Sequence, residues 1–527
     1  MIYFVKLVVL GKKPEGRVQA RCKFNYEGDK KMIRRYENPV IAGIWTDAQK
    51  VAVWQKVELA VIEARECLGL IPLGTHAKIK SILEANPVDL DWWKAREKET
   101  NHDLQAWVEE RVRHLPVELR QYFHEGMTSY DTEETAFLIL IKQSVDCVFE
   151  GCAALENGLK AQALKYRNCP MMGVTHGQFA EVQTFGKRCS TWYRELVSAK
   201  QKVSDNLWQL RTSKLSGAIG NYGGVTPQIE EKALQILGFK PYYGATQILP
   251  RQLHASLAEA LTALVLVISK IGTDIRLGAR SPRPIYQEPF GKKQTGSSRM
   301  PQKKNTIATE QLEGMGRMAL GYLVMIMQNI TTWEERAIEQ SSVERIAWPD
   351  LFHVAMRSLT SCTKVIEGLQ IYPDHMIQDI IDTRGTWAAG PAKEFLRERL
   401  APLLITTEET YRIVQLASFI AFQPTDSAKD IRKNPPKSLS EADELLGKKF
   451  VGVSFELLSI ERIIQKAELR VIPELDATQE DVEKWNAALR ALFGNLSDVE
   501  TEWNNVFSIQ DRLKDEACLF TNIFGIK

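Results

Sequence analysis

Apolar residues recur three and four positions apart over three long stretches of this 527-residue chain. Leu138, Ile141, Val145, Val148, Cys152, Leu155 and Leu159 form the first series. Leu257, Leu261, Leu264, Ile268, Ile271 and Ile275 form the second, and Leu312, Met315, Ala319, Tyr322 and Ile326 the third. Such spacing puts each series on one face of a helix, and a long helix with an apolar stripe needs partners to cover it. The pattern predicts a bundle of long helices and an all-α chain. The stretch 257–271 is the most apolar, but Glu259 and Lys270 bound it within less than a membrane-spanning length. It is expected to be a helix buried on several sides of the bundle, with no membrane involved.

The remaining pattern sets the expected divisions. Residues 1–31 have mixed character and are read as an extension outside the main fold. A helical pattern runs from Asp47 to Asp91 with Thr46 as its cap, so 32–131 is expected to be an N-terminal helical domain. The long helices occupy 132–365, and 366–527 is expected to be a more charged C-terminal helical domain. Arg432-Lys433-Asn434-Pro435-Pro436-Lys437 reads as a linker into a tail that begins at about 434.

Composition narrows the chemistry. Lys plus Arg number 68 against 66 Asp plus Glu, and a net charge of +2 gives no reason to expect nucleic acid or an acidic membrane as partner. Any anionic ligand must be read by local clusters. The eight cysteines form no Cys-x-x-Cys pair and no metal-type spacing with histidine, so reduced thiols, no metal and no cofactor are expected. Residues Met1 to Leu10 are apolar but lack a preceding basic region and a following cleavage site, which makes a cytoplasmic location the expectation. There is no internal repeat, no Gly-x-Gly-x-x-Gly loop and no P-loop.

The stretch from Thr295 to Asn305 has the layout of an anion-binding loop. Gly291 and Gly296 allow tight folding or a lid-like swing, so 291–305 is read as a mobile loop. Ser297 and Ser298 offer hydroxyls, and a helix expected to begin near Asn305 would point free N–H groups the same way as Lys303. Together they could hold a carboxylate; the alternative is a surface loop whose serines and asparagine cap a helix. Other candidates are spread along the chain. They are the Arg35-Tyr36 pair, Asn101-His102-Asp103, Thr128-Ser129 at a helix start, His176 between glycine-bracketed turns, and the amide Gln247. Arg336, Ser341 and Arg345 could converge on a phosphate through charge-assisted hydrogen bonds, or be a solvated helix face.

The string Ser-Ser-x-Met-Pro-x-Lys-x-Asn-x-x-x-x-Glu, met here from Ser297 to Glu310, resembles the signature of the fumarase/aspartase superfamily. Over roughly residues 32–430 the candidates above fall in the order of one branch, and the chain resembles the adenylosuccinate lyases. The resemblance implies a three-domain, nearly all-helical chain. It implies a homotetramer in which each active site draws residues from three subunits. It implies elimination of fumarate from a nitrogen, with adenylosuccinate and succinyl-aminoimidazole-carboxamide ribotide as the nucleotide substrates. In the family pattern Ser297 is the general base, His176 protonates the leaving nitrogen and Glu310 orients His176. Lys303 and Asn305 bind the carboxylate that gains charge, and His102 assists near the phosphate. Arg35, Tyr36, Arg336, Ser341 and Arg345 contact phosphate and ribose, while Gln247, Thr128 and Ser129 contact the succinyl side. Asn101 and Asp103 belong to the same pocket.

Some positions depart from that pattern. Asn101 stands where an arginine is common, Gln302 for a histidine, Thr306 for a proline, Ala337 for an aspartate, and Phe179 for a proline or histidine. These put substrate preference and loop stiffness in question without removing the acid, the base or the phosphate arginines. The rival readings are another superfamily lyase, of the argininosuccinate lyase, fumarase or carboxymuconate cycloisomerase type, and a catalytically silent helical scaffold. A nucleotide substrate requires Arg336 and Arg345 to share a cleft with Ser297.

Overall fold

The computed structural model describes residues 33–423, 459–494 and 497–525. The N-terminal extension 1–31 and the expected linker Arg432 to Lys437 lie outside them. The chain is mostly helical. The N-terminal helices are α1 (Pro39–Ile44), α2 (Asp47–Cys67), α3 (Thr75–Ala85), α4 (Leu90–Thr100), α5 (Asp103–Val112) and α6 (Val117–Arg120). The long ones follow: α7 (Ser129–Lys165), α8 (Phe185–Gln209), the short α9 (Pro227–Leu237), α10 (Arg251–Gly278), α11 (Ile307–Gln328) and α12 (Glu339–Glu367). Beyond them lie α13 (Pro373–Asp382), α14 (Ala389–Leu400), α15 (Thr407–Ala421) and the helices Ile460–Gln465, Gln479–Phe493, Ser497–Val506, Ile509–Leu513 and Ala517–Phe524.

The helix starts follow from local chemistry. The Thr46 side chain accepts from the Gln49 amide at the head of α2, and Thr184 does the same for Lys187 at the head of α8. At α7 Thr128 and Asp131 form a capping box, with the Thr128 amide donating to the Asp131 carboxylate at 2.9 Å. Such caps satisfy amides that a helix leaves open at its first turn. Inside the bundle the three stripes are buried as expected. All seven residues of the first series and all six of the second are at most 2 % exposed, and Leu312, Ala319 and Ile326 of the third are at most 1 % exposed.

Two observations refine the expectation for α10. An 18-residue window within Arg251–Gly278 is apolar and long enough to cross a membrane, so the apolar helix is longer than 257–271 implied. Yet 61% of that window is buried against neighbouring helices, which fits a bundle core. Outside the core, α11 keeps a second apolar face that one chain leaves in solvent: Met318, Leu320, Val324, Met325 and Met327 are 39–54% exposed.

The all-α expectation needs one local amendment. Strands β1 (Pro170–Thr175) and β2 (Gln178–Thr184) form an antiparallel hairpin, with Thr175 paired to Gln178 across the turn His176-Gly177. His176 has φ of 53° and Gly177 of 76°, the left-handed pair that a two-residue hairpin turn requires. Four further strands, each two residues long, form two more pairs among the described residues.

Charged groups are buried where the helix ends meet. Lys214 Nζ contacts Asp131 Oδ1 at 2.6 Å with both side chains fully buried. Arg251 reaches Glu134 at 2.8 Å and Glu344 at 3.1 Å, tying α10 to α7 and α12. Burial pushes Glu344 up to about 7, against the opposing pull of Arg251. A buried ion pair contributes little net stability but penalises any register that separates the partners. These contacts fix how three long helices line up at one end of the bundle.

Candidate active site

The loop ahead of α11 is tightly folded. The Asn305 side chain donates to the Gly296 carbonyl at 2.7 Å, closing the loop on itself. A Cβ on Gly296 would lie 2.0 Å from the Lys303 carbonyl oxygen, so only glycine allows this approach. Ser297 Oγ accepts from the amides of Met300 at 3.1 Å and Arg299 at 3.4 Å. Donors aimed at a hydroxyl oxygen favour its deprotonated form.

Helix α11 begins at Ile307, close to the expected start near Asn305, but its first amides do not face a ligand. The buried Glu288 carboxylate takes them instead, accepting from Ala308 at 3.1 Å and from the Thr309 amide and hydroxyl at 2.9 and 3.0 Å. A carboxylate at a helix N-terminus satisfies both the open amides and the helix dipole. The donors this loop offers to an anion are therefore Lys303 and the loop's own groups. Lys303, Asn305 and Glu310 line a cleft of about 880 Å³ with Arg276, Arg280 and Gln302. Glu310 lies 3.8 Å from Arg276 and receives the Thr306 hydroxyl at 3.4 Å. Thr306, where the family pattern has proline, thus supplies a donor to Glu310 that proline lacks. Arg276 also pairs with Glu313, whose carboxyl resists burial and is held below its usual range by that guanidinium.

His176 stands at the exposed hairpin tip and has no hydrogen-bond partner among the described residues. Its hairpin is based at the head of α8, where Arg188 and Trp192 both reach Asp274 near the end of α10. Arg276 in turn joins the end of α10 to the head of α11. The hairpin and the Ser297 loop therefore belong to the same end of the bundle. Within one chain Glu310 faces Arg276 and Thr306 rather than His176.

The other candidates gather at the opposite end. Arg336 donates to Gln247 Oε1 at 2.8 Å and lies 3.8 Å over the Tyr130 ring. Gln247 also donates to the Ala218 carbonyl at 3.0 Å. Arg345 donates to Asp103 Oδ2 at 2.8 Å and to Glu133 at 3.4 Å. Ser341 is buried, donates to the Ile338 carbonyl at 2.9 Å, and with Tyr130, Glu133 and Arg345 lines a cavity of about 490 Å³. Thr128 and Ser129 open α7 just ahead of Tyr130.

His102 caps α5, its Nδ1 accepting from the Gln105 amide at 3.3 Å. Asn101, with φ of 52°, ends α4 in the left-handed region that asparagine tolerates better than arginine. Arg35 and Tyr36 occupy a turn before α1, which is hung on α12 by the Asn38 amide donating to His353 at 3.0 Å. That point on α12 is about 12 Å along the helix from Arg345.

Between the two ends run the 22 residues of α11, about 33 Å of helix. In a single chain Ser297 and the arginines do not share a cleft. Sequence reasoning missed Tyr130, Glu133, Arg276 and Glu288. Tyr130 and Glu133 could have been suspected from their place one turn inside the α7 cap; Glu288 left no local signal.

A mostly helical bundle with a Ser-Ser-x-Met-Pro-x-Lys-x-Asn loop leading into one of its long helices defines a lyase of the fumarase/aspartase type. The family described as Lyase matches residues 32–321. An adenylosuccinate lyase from Thermotoga maritima is 35% identical over 387 residues, covering 73% of this chain and 87% of that enzyme. An adenylosuccinate lyase from Deinococcus radiodurans is 31% identical over 417 residues, 78% of this chain and 95% of that one. Among solved structures, a fumarate lyase from Mesorhizobium superposes with a TM-score of 0.70 at 18% identity, covering 93% of this chain and 99% of that one. The chain belongs to the adenylosuccinate lyase family within these lyases.

Proposed function

We propose that this chain is an adenylosuccinate lyase, releasing fumarate from adenylosuccinate to give AMP and from succinyl-aminoimidazole-carboxamide ribotide to give its carboxamide, in purine nucleotide synthesis in the cytoplasm. The observation that carries the reading is the division of the site between the two ends of the bundle. One end holds Ser297, Lys303, Asn305, Glu310 and His176, the groups of proton transfer and carboxylate binding. The other holds Arg336, Arg345, Ser341, Gln247, Thr128 and Ser129, with Asn101, His102 and Asp103 beside them. A complete site forms when copies of the chain pack side by side with ends opposed. The exposed apolar face of α11 is the surface that such packing would bury. A homotetramer with sites shared between subunits satisfies both requirements.

In that assembled site Ser297 removes the proton next to a substrate carboxylate, its oxygen held by the Arg299 and Met300 amides. Lys303 and Asn305 stabilise the carboxylate as charge builds on it. His176 of another copy, oriented by Glu310, protonates the departing nitrogen, and Arg336, Ser341 and Arg345, with Arg35 and Tyr36, take the phosphate and ribose.

One observation favours a second reading. Arg345 is already held by Asp103 and Glu133, an arrangement that suits a superfamily lyase whose substrate lacks a phosphate. The test is an ultraviolet assay of the purified chain with adenylosuccinate, following loss of the succinylated purine and release of fumarate. Equal amounts of AMP and fumarate are the expected result. No turnover of adenylosuccinate, with turnover of argininosuccinate or malate on the same sample, would replace the first reading by the second.

A further inference from the structure

The charges around Arg345 do not match a site built only to receive an anion. Its guanidinium lies between Asp103, at 2.8 Å, and Glu133, at 3.4 Å. Asp103 is anchored independently of Arg345: its Oδ1 accepts from the Leu104 amide at 2.9 Å, and its carbonyl oxygen accepts from the Trp93 indole at 2.8 Å. Among the described residues, Glu133 has no such second anchor. Its side chain is 13% exposed and lines the same cavity as Ser341 and Tyr130.

Helix α2 presents Asp47 and Lys50, and Lys50 lies 3.9 Å from Asp103. Asp103 comes from the head of α5, and Tyr130 and Glu134 from α7 itself. Arg251 on α10 is committed to Glu134 and Glu344, and Asp350 on α12 accepts the Tyr322 hydroxyl at 3.0 Å. Arg336 lies over Tyr130 and is tied to Gln247. Arg345 is thus the cation that holds Glu133 in hydrogen-bond range, and Asp103 competes for it.

We propose that Glu133 couples phosphate binding to proton uptake at this end of the site: a phosphate that binds Arg345 displaces Glu133 from the guanidinium, and a proton from solvent then joins a Glu133 carboxylate oxygen. This rests on the reading that Arg336, Ser341 and Arg345 take a nucleotide phosphate. Geometry alone sets the conflict, because a phosphate on the half-exposed Arg345 guanidinium meets two largely buried carboxylates already there and is repelled by them. Burial, and next the Asp103 charge, already push the Glu133 carboxyl up to about 7, against the pull of Arg345. The sign follows. Below pH 7 Glu133 is mostly protonated and yields Arg345 freely; above it, binding must draw in a proton and weakens as pH rises.

The experiment is calorimetric titration of AMP into the full-length protein and into Glu133→Gln at pH 6, 7 and 8, in buffers of different ionisation enthalpy. Both proteins see the same titration of the AMP phosphate, so the ratio of their dissociation constants isolates Glu133. That ratio, wild type over variant, is expected to rise about tenfold between pH 6 and pH 8, with proton uptake near neutral pH in the wild type alone. Glu133→Asp, which keeps a carboxylate, is expected to retain the pH dependence and serves if the glutamine variant does not fold. A ratio that stays constant, with equal proton uptake in both proteins, would overturn the proposal while leaving the nucleotide reading intact. Absence of AMP binding by both proteins at every pH would overturn the nucleotide reading and this inference with it.

Discussion

Replacing Ser297 by alanine is expected to lower turnover by about three orders of magnitude while leaving the KM for adenylosuccinate nearly unchanged. The expectation comes from where the hydroxyl sits. Its oxygen already accepts two backbone amides, from Arg299 and Met300, so the charge it carries as a base meets donors that need not reorganise. Alanine removes the proton acceptor and leaves the loop's other ties intact. The Asn305 to Gly296 hydrogen bond and the Glu288 cap on α11 do not involve the Ser297 side chain. Steady-state kinetics with matched thermal unfolding would check it. A variant that keeps more than a tenth of wild-type turnover would place the base elsewhere.

His176→Gln is expected to have the next largest effect, about a hundredfold in kcat, within the usual range for loss of a general acid. The imidazole stands at an exposed hairpin tip with no partner among the described residues, which fits a group whose working contacts lie in another copy of the chain. Its backbone is left-handed, so a substitution there carries some strain. Glutamine keeps the size and polarity and removes the titratable ring. Measuring kcat beside the oligomeric mass separates chemistry from assembly. Undiminished kcat would remove His176 from the mechanism.

The bundle was legible because long helices write their packing into the spacing of apolar residues. Leu138 to Leu159 and Leu257 to Ile275 are buried to the last member. The hairpin at 170–184 was not, because two strands of six and seven residues, bent by an irregularity between Met172 and Val174, leave little periodicity to read. What holds the first amides of α11 was not legible for a related reason: the Glu288 carboxylate lies about twenty residues upstream, and no local pattern links the two. Candidate residues were legible by type and order. Their division between opposite ends of α11 was not, since it depends on the direction in which each helix runs.

The same division explains which side chains sequence reasoning overlooked. Glu133 and Tyr130 belong to α7 by pattern and to the arginine cluster by geometry. Arg276 closes an apolar helix like any basic last-turn residue, yet reaches both Glu310 and Glu313. Phe179 is half exposed on the hairpin and Ala337 stands just ahead of α12, and nothing in one chain explains either departure.

The central claim is that one site is built from opposed ends of different copies. Co-expression of Ser297→Ala with Arg336→Ala tests it most directly. Each variant alone is expected to be nearly inactive. In mixed assemblies some sites take Ser297 from one chain and Arg336 from the other, and random mixing restores about a quarter of wild-type activity. Hybrid assemblies, verified by mass, that are no more active than the two parents would contradict the account.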